Sequence, residues 1–284
     1  MQNSKKINFK VKDYSVSGET FTLIHNNEFD YLETVPKPSL NKLPEYYKSE
    51  DYISHTNAKR NLFENVYHQV RAYSLKKKVK LINSFNTESK NILDFGCGTG
   101  AFLNEAQNQG WNITGIEPDE KARILANTQT NNAVLPSQDF NTLPEKSFDV
   151  ITLWHVLEHI PDLQEKISQL KKLLKENGTL IIAVPNYNSF DAKHYKSFWA
   201  AFDVPRHLWH FSKKSITTLF AREKMKVVKI KPMLFDAFYV SLLSEKYKTS
   251  KMNPIKSFYT GLLSNFKAIR SGEYSSLIYV IKNM

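Results

Sequence analysis

From Asn91 onward the apolar residues fall into short runs separated by longer stretches with helical spacing. The runs near 91–95, 112–117, 132–135, 148–154 and 179–184 read as five successive strands. Behind Asp162-Leu-Gln-Glu165, a pattern in the style of a capping box, Leu163, Ile167, Leu170 and Leu174 form the buried stripe of a helix that Gly178 should end. A later helix is expected to start at Ser212, a sixth strand to cover Val227 to Lys231 and a seventh Ser276 to Lys282. Between the last two strands, 235–247 and 255–269 look helical and carry no evident chemistry. Strands alternating with helices predict a doubly wound α/β sheet.

The chain before Asn91 follows a different pattern. VKDYSVSGETFTLIH suggests two strands around a Ser17-Gly18 turn, and Pro36 and Pro38 then force an extended path. Over 55–83, Leu62, Val66 and Val70, beside Phe63 and Tyr67, and then Leu75, Val79 and Ile82 predict an amphipathic helix, or two. Lys76, Lys77, Lys78 and Lys80 are expected on its wet side.

The stretch with the clearest chemistry is Asn91 to Gly100, NILDFGCGTG. An apolar strand ends in Asp94-Phe95, and Gly96, Gly98 and Gly100 lead into a helix starting at Ala101. Such a turn frees the backbone to adopt positive φ and aims unpaired N–H groups at one spot, a natural nucleotide site. Gly96-x-Gly98-x-x-Ala101 also satisfies a degenerate dinucleotide fingerprint. A carboxylate at Asp94 would repel a pyrophosphate, however, whereas it would welcome an ammonium group. Glu117, after the second strand, suits a ribose diol in either case. An ammonium and a ribose together describe S-adenosylmethionine better than NAD.

LDFGCGTG, GIEPD, FDVITLWHVLEHI and LLKENGTLIIAVPN follow one another between Asn91 and Asn186. In this order and spacing they resemble the motifs of class I S-adenosylmethionine-dependent methyltransferases. The resemblance implies a Rossmann-like seven-stranded sheet, mostly parallel with one antiparallel strand beside the fifth, and helices on both faces. It implies a methyltransferase domain over 55–284 with insertions at 186–211 and 233–275, and a small appendage over 1–54. Asp94 should hold the methionine ammonium, Gly96, Gly98 and Gly100 should admit the methionyl and ribose groups, and Glu117 should accept from both ribose hydroxyls. Cys97 and Pro118 lie within the same two motifs and join the cofactor set. Asp139 is expected near the adenine amine, with Phe140 as a stacking face. Asp149 is expected to start the fourth strand without touching ligand. His155 should line the methionine end of the cofactor, and His155, Glu158 and His159 are the candidates for a general base.

Some members of that family carry an N-terminal zinc ribbon followed by a Pro-x-Pro and a tyrosine-rich stretch. This chain keeps Tyr46-Tyr47-Lys48-Ser49 and Tyr52 but has His25 and Glu28 where a cysteine pair would stand. Without thiolates no metal is expected there. Asn186 to Phe211 concentrates aromatics and imidazoles after the fifth strand, where a lid or a packed aromatic cluster could form. Arg206, His207 and His210 are its candidate contacts to an acceptor. Its DVPRHLWHFS also resembles a segment of methyltransferases from sugar, lipid and secondary-metabolite pathways.

Composition narrows the partners. The single cysteine, Cys97, excludes an internal disulfide and favours a packing role. No apolar run approaches a membrane span or a secretory signal, so a cytoplasmic protein is expected. The net charge of +11 is uneven, with −5 over 91–185 and +8 over 222–284. The expected activity is O-methylation of a small-molecule, sugar or lipid-linked acceptor. A weak contact of the basic tail with an anionic surface stays open. RNA or protein methylation, or cofactor binding without turnover, are the alternatives, although no nucleic-acid-binding module is recognisable.

Overall fold

The computed structural model describes residues 8–39, 41–47 and 62–284. Residues 55–61 of the expected helix, and Lys48, Ser49 and Tyr52, lie outside the described residues. In chain order come β1 (Asn8–Lys12), β2 (Thr20–His25), β3 (Leu32–Val35), α1 (Leu62–Asn83), β4 (Asn91–Phe95), α2 (Ala101–Gln107), β5 (Asn112–Ile116), α3 (Glu120–Gln129) and β6 (Val134–Leu135). They are followed by β7 (Phe148–Trp154), α4 (Leu163–Leu173), β8 (Leu174–Pro185), α5 (Phe190–Tyr195), β9 (Trp209–His210), α6 (Lys213–Arg222), β10 (Met225–Pro232), α7 (Asp236–Thr249), α8 (Pro254–Ser271) and β11 (Ser276–Asn283).

Seven strands form the main sheet in the order β10-β11-β8-β7-β4-β5-β6. β4, β5, β6, β7 and β8 pair in parallel, and β11 runs antiparallel to both β8 and β10. The cores of the middle strands, Ile92-Leu93, Val150-Ile151 and Leu180 to Val184, are apolar because both of their faces are covered. Successive residues serve opposite faces: Leu93, Ile151 and Ile182 pack toward α4 and α6, while Ile92, Val150 and Ile181 pack toward α1, α2 and α3.

A second sheet, β1-β2-β3-β9, is antiparallel. Its last strand comes from the segment 186–211, so the N-terminal strands and that segment share one apolar core. Val11, Phe21, Leu23 and Leu32 there meet Tyr195, Trp199, Phe202 and Val204. His25 contacts Asn27 and Asp30, and Glu28 pairs with Arg222.

Three local expectations need correction. The helix after Asp162 ends at Leu173, and Asp162 makes no side-chain cap. Leu174 already belongs to β8, paired with Phe148, so the buried stripe closes on Leu173 and Gly178 lies within a strand. The third strand is only Val134–Leu135, because Asn131 and Asn132, at φ 52° and 60°, are part of a turn. Lys78 is not on the wet side of α1. It is partly buried, with its ammonium 4.3 Å above the Trp154 ring.

Candidate functional site

The carboxyl ends of β4, β5 and β7 border one cleft, as the crevice of an open parallel sheet does. At the end of β4 the N–H groups of Gly96 and Cys97 both donate to Ile116 O, at 2.8 and 3.1 Å, folding the loop back over β5. Gly96 has φ 76°, and a Cβ there would meet Val156 at 2.5 Å. Gly98 has φ 56°, and a Cβ there would find nothing within 4 Å. Space is therefore kept open above Gly98, as close approach of a ligand to the backbone requires.

Glu117 fixes this loop from below. Its Oε2 accepts the Gly98 N–H at 2.7 Å and its Oε1 accepts the Asp119 N–H at 2.9 Å. Burial raises its carboxyl above the usual range, opposed by these two backbone donors. Each oxygen keeps a further lone pair for a ribose hydroxyl. Pro118 follows at the exposed rim. Burial, reinforced by the charges of Asp94 and Glu117, pushes the Cys97 thiol far above its ordinary value, so Cys97 packs and is no nucleophile.

Asp94 is 2% exposed and accepts Thr152 Oγ1 at 2.6 Å. Burial pushes its carboxyl up to about 7, with Thr152 and the Lys78 ammonium working the other way. Lys78 is brought down to about 8 by burial, opposed by Asp94 and Asp236. A carboxylate this poorly compensated gains from an added cation, so it fits the ammonium of S-adenosylmethionine.

At the end of β7, His155 takes φ 58° and reaches two acids. Its Nε2 lies 3.1 Å from Asp236 Oδ2 and its Nδ1 3.4 Å from Glu158 Oε1. Burial disfavours the imidazolium, but the two carboxylates prevail and raise His155 to about 10. Held as a cation near neutral pH, it offers no lone pair to a proton. Glu158 is 1% exposed, and beyond this ionic contact neither oxygen has a hydrogen-bond partner among the described residues. His159 Nδ1 lies 2.9 Å from the Tyr47 hydroxyl and 3.0 Å from Arg206 O. Glu158, His159 and His207 each place one ligand atom within 4.8 Å of the others, an oxygen and nitrogen donor set that a divalent cation could use.

The remaining sequence candidates have different surroundings. Asp139 is half-buried in the 3₁₀ turn Ser137–Thr142, just beyond the strand next to Glu117. Phe140 is no open stacking face: it is buried edge-on against Phe95 at 5.0 Å, with Lys166 4.1 Å above its ring. Asp149 accepts from Asn91 N and Lys175 Nζ at the opposite end of β7. Arg206 is buried between Asp203, with which it forms an ion pair, and Ser15 Oγ at 3.0 Å. The Nδ1–H of His207 donates to Ala201 O at 2.9 Å, and burial holds the ring neutral. His210 lies 3.0 Å from Thr34 Oγ1 and is brought down to about 3 by burial. Arg206, His207 and His210 thus knit the segment 186–211 to the N-terminal strands, because the aromatic stretch packs as a core.

Lys78 and Asp236 were missed. Lys78 follows Leu75 by three residues and precedes Ile82 by four, which places it on the buried arc of α1. The neighbouring lysines masked that signal. Asp236 carries no local signal, since its role depends on where the chain returns after β10.

The methyltransferase-domain family matches residues 66–230. A ubiquinone biosynthesis O-methyltransferase of Hydrogenovibrio crunogenus is 30% identical over 132 residues, covering 44% of this chain and 52% of the relative. The chain spans about half the length of the curated relatives it matches. Among solved structures, a SAM-dependent methyltransferase of Thermotoga maritima, a possible histamine N-methyltransferase, superimposes with a TM-score of 0.52 at 19% identity, covering 78% of this chain and 97% of that one. The magnesium protoporphyrin IX methyltransferase of Synechocystis PCC 6803, solved with bound SAH, gives a TM-score of 0.53 at 13% identity, covering 86% and 94%. These two likenesses establish the Rossmann-like methyltransferase fold.

Proposed function

Because the chain belongs to the methyltransferase-domain family, we propose that it transfers the methyl group of S-adenosylmethionine to an oxygen of a small or lipid-linked acceptor. The observation that carries this reading is the buried, undercompensated carboxylate of Asp94 beside the open space at Gly98. The likeness to a ubiquinone biosynthesis O-methyltransferase supports oxygen as the acceptor atom.

When bound, S-adenosylmethionine supplies a methyl carbon activated by its sulfonium charge. The residues of the chain do the rest by binding and by moving one proton. Asp94 and Lys78 hold the two charged ends of the methionine portion, Glu117 accepts from the ribose hydroxyls, and Asp139 borders the adenine. His159 is the general base. With its Nδ1–H shared between Arg206 O at 3.0 Å and the Tyr47 hydroxyl oxygen at 2.9 Å, the Nε2 lone pair takes the acceptor's hydroxyl proton. His155 braces the site as a cation between Glu158 and Asp236.

Calorimetry with S-adenosylmethionine, its demethylated product and NAD tests the cofactor assignment. Binding of the first two without NAD is expected; binding of NAD alone would refute it. For the acceptor, a mass increase of one methyl group on an oxygen of a compound drawn from cell extracts is expected, and a methylated nitrogen would refute the choice of atom.

A further inference from the structure

Helix α8 is inside out for a soluble protein. Its buried face is made of small residues, Ser257, Thr260, Gly261, Ser264 and Ala268. They let the helix lie close on α7: a Cβ on Gly261 would meet Phe238 Cδ1 at 2.8 Å and the Phe238 Cα at 3.0 Å. Ser264 Oγ donates to Asp191 Oδ1 at 2.7 Å, which anchors the same face. The opposite face carries Ile255, Phe258, Tyr259, Leu262, Phe266 and Ile269, from 52% to 85% exposed. At about 100° per residue these six fall on one arc about 100° wide, the stripe that a globular protein normally buries.

Charge identifies what covers it. α8 contains Lys256, Lys267 and Arg270 and no acidic residue, and Lys251 precedes it. All three cations of the helix fall along one edge of the apolar arc. Lys256 is paired there with Glu245 of α7 at 3.0 Å, so Lys267, above the Phe190 ring at 3.9 Å, Arg270 and the preceding Lys251 carry the net positive charge of that edge. A second copy packed antiparallel on the same face would set cations against cations, with no carboxylate on either helix to relieve them. An anionic lipid surface satisfies both features, since the apolar arc enters the acyl boundary while the basic edge meets phosphates. Among the described residues no helix is long and apolar enough to cross a membrane, so the contact lies on the surface.

We propose that the exposed face of α8 docks the protein on anionic lipid bilayers. This goes beyond methyl transfer, and its test needs no turnover. The full chain is sedimented with phosphatidylcholine vesicles with and without phosphatidylglycerol. The wild type should pellet at least about tenfold more strongly with the anionic vesicles, and added salt should weaken the binding. Two double variants, Phe258→Ser with Phe266→Ser and Ile255→Ser with Ile269→Ser, should each lose at least about tenfold while keeping the wild-type melting temperature. Lys251→Glu with Arg270→Glu should lose the preference for the anionic lipid. Wild type left in solution with both vesicles, or undiminished binding by both serine pairs, overturns the proposal. A dimer seen by light scattering that the serine pairs abolish would also overturn it, and would give the face to a second copy.

Discussion

His155 Nε2 meets Asp236 Oδ2 at 3.1 Å, tying the end of β7 to the first residue of α7. The contact closes the cleft on one side and makes His155 a brace. Because its pKa rises from 6.5 to about 10 on folding, its stabilisation is complete below 6.5 and is lost as pH rises through 10. We expect stability by urea unfolding to decline between those values, and Asp236→Asn to lower the His155 pKa in an NMR titration. With both side chains partly exposed, the stability lost across that window should be only about 1 kcal/mol. An unshifted His155 titration would remove the brace.

Asp94 works in the opposite sense. Its carboxyl rises from 3.8 to about 7 on folding, so in the cofactor-free protein it costs stability increasingly as pH climbs from 3.8 to 7. A cofactor ammonium prefers the ionised form. Affinity measured by calorimetry should therefore increase up to about pH 7 and decline again as Lys78 loses its proton above about pH 8. Asp94→Asn should flatten that profile and bind at least about tenfold more weakly at pH 8. A profile equally steep in the variant would place the titrating group elsewhere.

Glu117→Ala should weaken cofactor binding by about 1.5–3 kcal/mol, the range for hydrogen bonds to a charged acceptor. The fold should survive, since Glu117 follows β5 and does not pack within it, although the Gly98 and Asp119 N–H groups lose their acceptor. Calorimetry and thermal melting together decide this. An unchanged affinity with an unchanged melting curve excludes Glu117 from the site.

Arg206→Ala should destabilise the chain by about 1–3 kcal/mol, because Asp203 is left with a charge and no guanidinium. Cofactor affinity should stay at the wild-type value. Acceptor kinetics that change in a variant of wild-type stability would return Arg206 to the acceptor pocket.

The alternation of apolar runs and helical stripes set out most of the main sheet, because burial on both faces leaves a period that each strand carries in its own residues. The loop from Asp94 to Gly100 and Glu117 were legible for a similar reason: positive φ and a strand-end carboxylate are local needs. Where a local signal was weak, boundaries slipped, as at Leu174, which helical spacing claimed and strand pairing with Phe148 took. The tertiary structure alone decided the partners. Lys78 turned inward because Trp154 and two carboxylates lie across the cleft from its helix. His210 became a core contact because Thr34, far away along the chain, delivers a hydroxyl to it. Separation along the chain likewise hid Asp236 from His155. Periodicity records which side of an element is buried, whereas the group that meets it there is chosen only when distant segments pack.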